Sequence, residues 1–118
     1  VAADGTLWAG NGTTLYRSSD GGTTAAGWTS VKAFGSGKPV KGIGLAKNDP
    51  EFLTVVCDDS TPGDGSVWIS ADAVTFELIP NLVNDGWNAA YFSQVDPNLV
   101  YIVGDDDTTR PVMAKLAP

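Results

Sequence analysis

Aspartate is the residue type that offers this sequence the most chemistry. The chain contains fourteen acidic residues, of which twelve are aspartate, and it contains no histidine. Carboxylates accept hydrogen bonds from the hydroxyl groups of a polyol or a sugar, coordinate Ca²⁺, or act in pairs as acid and base. The absence of histidine excludes histidine-based zinc sites, Ser-His-Asp triads and Cys-His pairs. The single cysteine, Cys57, lies in an apolar run and is predicted to be buried filler rather than a nucleophile.

The elements that must position these carboxylates are predicted to be short β-strands. Fourteen Gly and seven Pro residues punctuate the chain, and no segment keeps the 3.6-residue period of a helix. Alternating apolar and polar residues between these turn signals predict ten strands. They are expected near 6–10, 14–18, 28–34, 42–47, 52–57, 66–70, 75–79, 88–93, 99–104 and 111–116. The sequence therefore predicts an all-β fold.

An internal repeat organises these strands. The segment 49–59 matches 96–106 without a gap at an offset of 47, and the same offset relates Gly10 to Cys57. A second element recurs between 15–20 and 67–72, where an alternating strand runs into a Ser-x-Asp turn. If the four strands of one repeat are named A to D, their order along the chain is BCD, then ABCD, then ABC. This pattern predicts a blade remnant over 1–34, a complete blade over 42–80 and a partial blade over 87–118.

The Ser-x-Asp turns have a structural explanation of their own. A tight turn leaves backbone N–H groups unpaired, and an aspartate carboxylate can accept them. A glycine in the turn supplies a positive φ angle. We therefore expect a structural role, and no catalytic role, for the turn residues Ser18, Asp20, Gly22, Ser70 and Asp72.

These turns resemble the Asp-box, or bacterial neuraminidase repeat, of a β-propeller family. The family turn reads Ser-x-Asp-x-Gly-x-Thr-Trp, and residues 18–24 fit it up to the aromatic position, where Ala25 stands. Residues 70–76 are one residue shorter and lack the glycine, but they keep Ser, Asp, Thr and an aromatic residue. The resemblance implies propeller blades of four antiparallel strands that form an incomplete ring. A small self-contained β-sandwich is the alternative fold.

Strand direction predicts where a ligand would bind. The D–A and B–C connections share one edge of the blades, opposite the Ser-x-Asp turns, and they collect seven aspartates with Trp87 beside them. Such a rim suits a neutral glycan, with Ca²⁺ as a further candidate, although no metal site or cofactor is predicted. The candidate ligand-binding residues are Trp87, Asp85, Asp59 and Asp106. The alternative is that these loops only keep the chain soluble and that Trp87 packs inside a blade.

Charge and composition narrow the function further. A net charge of −7 without a basic cluster argues against nucleic-acid binding, and no apolar run approaches the roughly 20 residues that insert into a bilayer. We expect a non-enzymatic structural or binding module, extracellular or virion-associated, in a secreted or phage virion or tail protein. Its partners would be further blades, from the parent chain or from identical subunits. The alternative is a fragment of a neutral-glycan hydrolase of xyloglucanase type, or of a sialidase-like propeller.

Overall fold

The computed structural model describes residues 1–2, 4–58, 65–79, 86–93, 95–96, 99–105 and 111–116. These residues form ten strands and a 3₁₀-helix at Ala25–Gly27. The strands are β1 (Leu7–Asn11), β2 (Thr14–Ser18), β3 (Trp28–Ala33), β4 (Val40–Leu45), β5 (Leu53–Cys57), β6 (Ser66–Ser70), β7 (Glu77–Leu78), β8 (Gly86–Phe92), β9 (Val100–Asp105) and β10 (Pro111–Leu116). Within the described part of the chain, no helix is long and apolar enough to cross a membrane.

The strands form three antiparallel sheets in chain order. The first sheet contains β1, β2 and β3, the second contains β4 to β7, and the third contains β8, β9 and β10. Each strand pairs with the next strand of its own sheet, so every sheet is a simple meander. The predicted all-β class is confirmed, and the three-four-three grouping of strands is the grouping that the repeat predicts.

Three strands begin two residues away from their predicted start. β4 and β8 each begin two residues before the predicted start, because pairing continues across a β-bulge on both strands. β7 contains only Glu77 and Leu78, whereas the alternation predicts a strand over 75–79. Thr75 instead donates its backbone N–H to the Asp72 side chain, which holds this residue in the preceding turn.

The second and third sheets repeat one another at the level of strand register. Val40 pairs with Cys57 and Trp87 pairs with Gly104, so both partners are displaced by 47 positions. Every following pair of the β4–β5 hairpin has a counterpart 47 positions later in the β8–β9 hairpin. The last pair is Leu45 with Leu53 in β4–β5, and its counterpart is Phe92 with Val100 in β8–β9. Both first strands carry their bulge at the equivalent place. The repeat is therefore a property of the backbone as well as of the sequence.

The loops that follow β4 and β8 also match. Ala46 N–H donates to the Phe52 carbonyl at 3.1 Å, and Ser93 N–H donates to the Leu99 carbonyl at 2.8 Å. Inside each loop, the residue before the strand donates its N–H to the carbonyl of the Asp-Pro aspartate, Asp49 or Asp96, at 3.3 and 3.1 Å. This turn closes the first hairpin of each of the two sheets.

The first sheet follows the repeat with a shift of one residue. Ser18 pairs with Leu7, and the equivalent Ser70 pairs with Leu53, so β1 and β5 correspond at an offset of 46. Gly10 therefore corresponds to Val56, and the predicted match between Gly10 and Cys57 is wrong by one position. The offset of 47 comes from the match of 49–59 with 96–106, and it does not hold for β1.

Two apolar clusters hold the three sheets together. The first lies between the first and second sheets and contains the fully buried Leu15, Leu53 and Val55, together with Cys57 and Phe76. Burial raises the pKa of the Cys57 thiol to about 11, which agrees with its expected role as inert filler. The sheets consequently stack as three layers, with the second sheet covered on both faces.

The second cluster fills the space between the second and third sheets. Its buried members include Val56, Val67, Trp87 and Ile102. Edge-to-face packing of the rings of Phe52 and Phe92, with centroids 5.1 Å apart, closes one end of this cluster. The second and third sheets therefore share an apolar interface.

Glycines allow the backbones of β4 and β8 to approach closely. A Cβ atom on Gly42 would lie 2.8 Å from the Ala89 Cα, and one on Gly44 would lie 3.1 Å from the Ala90 carbonyl oxygen. These neighbours are backbone atoms, which cannot move without moving the strand. The first strands of the second and third sheets thus pack backbone against backbone.

Candidate functional site

The structure places only part of the predicted ligand rim. Asp59, Asp85 and Asp106 lie outside the described residues. Trp87 is 2% exposed and packs in the cluster between the second and third sheets, so its indole is not an exposed platform for a sugar ring. Within the described residues, no group of three or more Asp, Glu, Cys or His side chains is arranged to hold a metal ion.

The first Ser-x-Asp turn is closed by side-chain hydrogen bonds. Gly22 N–H donates to Ser18 Oγ at 2.8 Å and to Asp20 Oδ1 at 3.1 Å. The hydroxyls of Ser18 and Thr24 donate to the two oxygens of the Asp20 carboxylate, each at 2.7 Å. Gly27 lies so close to this carboxylate that a side chain there would collide with it. Asp20 therefore orders the whole segment from the end of β2 to the 3₁₀-helix.

The second Ser-x-Asp turn performs the same task with one residue fewer. Val74 N–H and Thr75 N–H donate to Asp72 Oδ1 at 2.9 and 2.7 Å, and the Ser70 hydroxyl donates to the same oxygen at 3.1 Å. Ala73 has a φ angle of 57°, in the left-handed region that favours glycine. In the first turn, glycine occupies that conformation at Gly21 and Gly22. The shorter turn thus holds Ala73 in a strained backbone conformation. The Ala73 side chain is buried at the edge of the interface between the first and second sheets.

Hydrogen bonding lowers the pKa of both turn carboxyl groups to about 2 from 3.8. For Asp20 the largest cause is the Thr24 hydroxyl, followed by the Ser18 hydroxyl. For Asp72 it is the backbone N–H of Thr75, followed by that of Val74. Because the folded pKa lies below the unfolded value, each carboxylate stabilises the fold above about pH 4. This contribution is lost as the pH falls through about 2.

We therefore expect Asp20→Asn and Asp72→Asn each to flatten the dependence of the unfolding free energy on pH between about pH 4 and pH 2. Urea unfolding followed by circular dichroism at several pH values measures this slope. Asp49→Asn makes the same charge change outside the two turns and serves as the matched control. A double variant with the slope of the wild type would show that these two carboxylates do not couple folding to protons.

A cleft of about 310 Å³ opens beside the second turn, between the first and second sheets. One wall is a row of directly paired residues that crosses the first sheet, with Trp8 on β1, Arg17 on β2 and Thr29 on β3. The opposite wall comes from two turns of the second sheet, which contribute Glu51 and the segment 72–74. Asp4 and Thr6 extend the first wall at its N-terminal end. The cleft therefore combines one aromatic ring, one cation and three carboxylates.

Two hydrogen-bond donors of this cleft lack a protein acceptor. Trp8 Nε1 is buried and has no hydrogen-bond partner. Arg17 has no carboxylate within ion-pair distance among the described residues, although Asp4, Glu51 and Asp72 line the same cleft. By contrast, the indole nitrogen of Trp68 donates to Ser66 Oγ at 3.1 Å. A buried donor without an acceptor is costly, so this one calls for a structural or functional explanation.

The sequence interpretation did not identify this cleft. The position of Trp8 on an alternating strand predicts core packing, and Trp8 does pack against the first apolar cluster. Arg17 lies beside the Ser-x-Asp turn, at the edge opposite the predicted ligand rim. One sequence signal was present: Leu15 and Arg17 are two positions apart on the same strand, so they share a face. Leu15 is fully buried and Arg17 is exposed, so the charged side chain lies where the covered part of this face ends.

Two comparisons with known proteins returned no relative of this chain. No protein-family model matches the sequence, and a search of curated proteins found no match.

Proposed function

We propose that this protein is a non-enzymatic structural and binding module, a segment of an Asp-box β-propeller whose two outer sheet faces are covered by further sheets of the same kind. The observation that carries the proposal is the shared register of the second and third sheets. One face of the second sheet is covered by the third sheet. The residues on that face have counterparts 47 positions later on the outer face of the third sheet. We infer that the outer face is built to be covered as well.

The exposure of equivalent residues supports this inference for the third sheet. Val56 of the second sheet is fully buried, whereas its counterpart Val103 is half-buried. Gly44 is buried against β8, whereas its counterpart Tyr91 is 62% exposed. The third sheet thus presents an aromatic and aliphatic surface where the second sheet presents an interface.

The opposite end of the stack shows the complementary pattern. Leu53 and Val55 of the second sheet are fully buried against the first sheet. Their counterparts in β1 are Leu7 and Ala9, which are half-buried on the outer face of the first sheet. Both halves of a further sheet interface are therefore present on one chain, at its two ends. Two copies could join through them head to tail, a contact that closes into a ring or continues as a filament.

The outer face of the third sheet offers the direct test. In sedimentation equilibrium at about 0.15 M salt, which screens the repulsion between chains of net charge −7, we expect the wild-type chain to self-associate. Tyr91→Lys should shift that equilibrium toward the monomer, because it places a charge in the centre of the proposed contact. Val95→Lys is the matched control, since Val95 is 94% exposed in the loop beyond β8. A well-folded monomer at every concentration would contradict the proposal.

A further inference from the structure

We propose that the free edge of β1 binds one extended peptide strand of a partner polypeptide, antiparallel to β1 and with glycine at two alternate positions. The bound strand takes the place in the first sheet that β4 takes in the second. The site is a strand edge and not one of the two outer sheet faces, so this proposal stands apart from the proposed function.

The first sheet has one strand fewer than the second on this side. β1 corresponds to β5, which pairs with β4 on one edge and with β6 on the other. β1 pairs with β2, and no described strand pairs with its other edge. A Cβ atom on Gly10 would collide with Val40 of β4, and their counterparts, Val56 and Trp87, likewise share an apolar cluster. The second sheet therefore lies against the first as the third lies against the second.

The backbone of β1 offers hydrogen-bonding groups along this edge. The Thr6 carbonyl accepts a hydrogen bond from the Ala2 N–H at 2.8 Å, outside the β1–β2 ladder. Successive residues of an edge strand alternate between ladder bonds and unpaired groups, so Trp8 and Gly10 direct their N–H and C=O groups to the same side as Thr6. Gly10 is also exposed. Four backbone groups are therefore available to an added strand.

The segment before β1 fixes the register of the added strand. The bond from Ala2 to the Thr6 carbonyl repeats the bond from Ala46 to the Phe52 carbonyl, which closes the β4–β5 hairpin. Ala2 and Ala46 are also buried to the same degree, at 6% and 4% exposure. Ala2 thus takes the place of Ala46. The bound strand would therefore fill the positions equivalent to 40–44, and the β4–β5 pairing sets its alignment with β1.

The neighbouring face of β4 decides which side chains fit beside β1. Ile43 and Leu45 are on the face of β4 that points to the first sheet, and they are half-buried. Their counterparts on β8 are Ala90 and Phe92, which are 4% and 6% exposed where β4 lies over them. β4 itself meets β8 with glycine at both facing positions, because a Cβ atom there would collide with backbone atoms. A strand between β1 and β4 consequently needs glycine at the same two positions.

A peptide with the sequence of residues 37–44, Gly-Lys-Pro-Val-Lys-Gly-Ile-Gly, capped at both ends, is the probe. We expect it to shift the backbone amide signals of Trp8 and Gly10 saturably in ¹H–¹⁵N correlation spectra. A Kd of about 1 mM is expected for a few backbone hydrogen bonds. At about 5 mM peptide, hydrogen exchange of these two amides should then slow about sixfold. The Ala9 amide faces β2 and should exchange at its original rate.

Matched peptides test the geometry without altering the fold of the protein. N-methylglycine in place of Gly42 and Gly44 of the peptide removes the two N–H groups that face β1, and valine at both positions adds side chains toward β4. Each change should abolish binding. N-methylation of Ile43 of the peptide removes an N–H that faces away from β1, so affinity should stay within about twofold. Absence of any shift at about 5 mM, shifts spread evenly over the protein, or equal binding of the N-methylglycine peptide would overturn the proposal.

Discussion

Trp87→Ala is expected to lower the free energy of unfolding by about 3–5 kcal/mol, the cost of removing a large aromatic side chain from a packed core. The indole is 2% exposed and contributes the largest side chain of the cluster between the second and third sheets. Its neighbours there include Val56 and Ile102, which lie on the strands β5 and β9, each paired with a strand on both sides. They can collapse only partly into the space left behind. Equilibrium urea unfolding followed by tryptophan fluorescence and circular dichroism measures the change.

Trp28→Ala is the matched control for this experiment, because Trp28 is half-buried at the start of β3, where its ring packs near Gly22. Its loss should cost clearly less than the loss of Trp87. A Trp87→Ala cost below about 1 kcal/mol would mean that the interface between the second and third sheets is not packed as described. The result also governs how the predicted glycan role of Trp87 is tested. Loss of glycan binding in this variant would report a weakened fold unless its stability is measured alongside.

Gly42→Val is expected to cost up to about 3 kcal/mol, the upper end of the range for overpacking a close-packed interface. A Cβ atom at Gly42 would lie 2.8 Å from the Ala89 Cα and 3.0 Å from the Asn88 carbonyl oxygen. Both are backbone atoms of β8, so relief requires the second and third sheets to move apart. That movement would also open the apolar cluster that they share. Thermal unfolding and urea unfolding both measure this loss.

Ala89→Val tests the same change at the equivalent position of the repeat. Ala89 occupies, in the third sheet, the place that Gly42 occupies in the second, directly after the bulge. It is half-buried on the outer face, where the described residues place no further sheet. We expect little change in the stability of the monomer and weaker self-association. An equal loss of stability in Gly42→Val and Ala89→Val would contradict the conclusion that the third sheet covers this face of the second sheet while its own outer face is open.

The strands and turns were predictable because they depend on neighbours along the chain. The Asp-Pro turn at Asp49 is closed by hydrogen bonds that span three residues, and the Asp20 turn by bonds that span two to four. Residue types at such short spacing are enough to indicate both turns. The two-residue β7 was overestimated for the same reason, since alternation continues through Thr75 although a side chain has taken its N–H.

The candidate site was less predictable than the fold. Ser18 and Asp20 can be interpreted from their own segment, but the cleft joins Trp8 to Glu51 and Asp72, which lie far apart in the sequence. Period-2 alternation places Arg17 on the same face as Leu15, yet it does not say whether that part of the face is covered by another sheet. Trp87 illustrates the opposite case, in which an aromatic residue beside an acidic loop proves to be buried.

The amino-acid sequence by itself determined the all-β class, the antiparallel order of the strands and the repeat near 47 residues, because backbone pairing and turn formation follow from local residue types. Only the tertiary structure decided which faces are covered. It brings β4 and β8 together at Gly42, buries Trp87, and leaves Trp8 without an acceptor beside Arg17. These features depend on how one sheet lies against the next. Contacts between sheets join residues that no short sequence pattern connects.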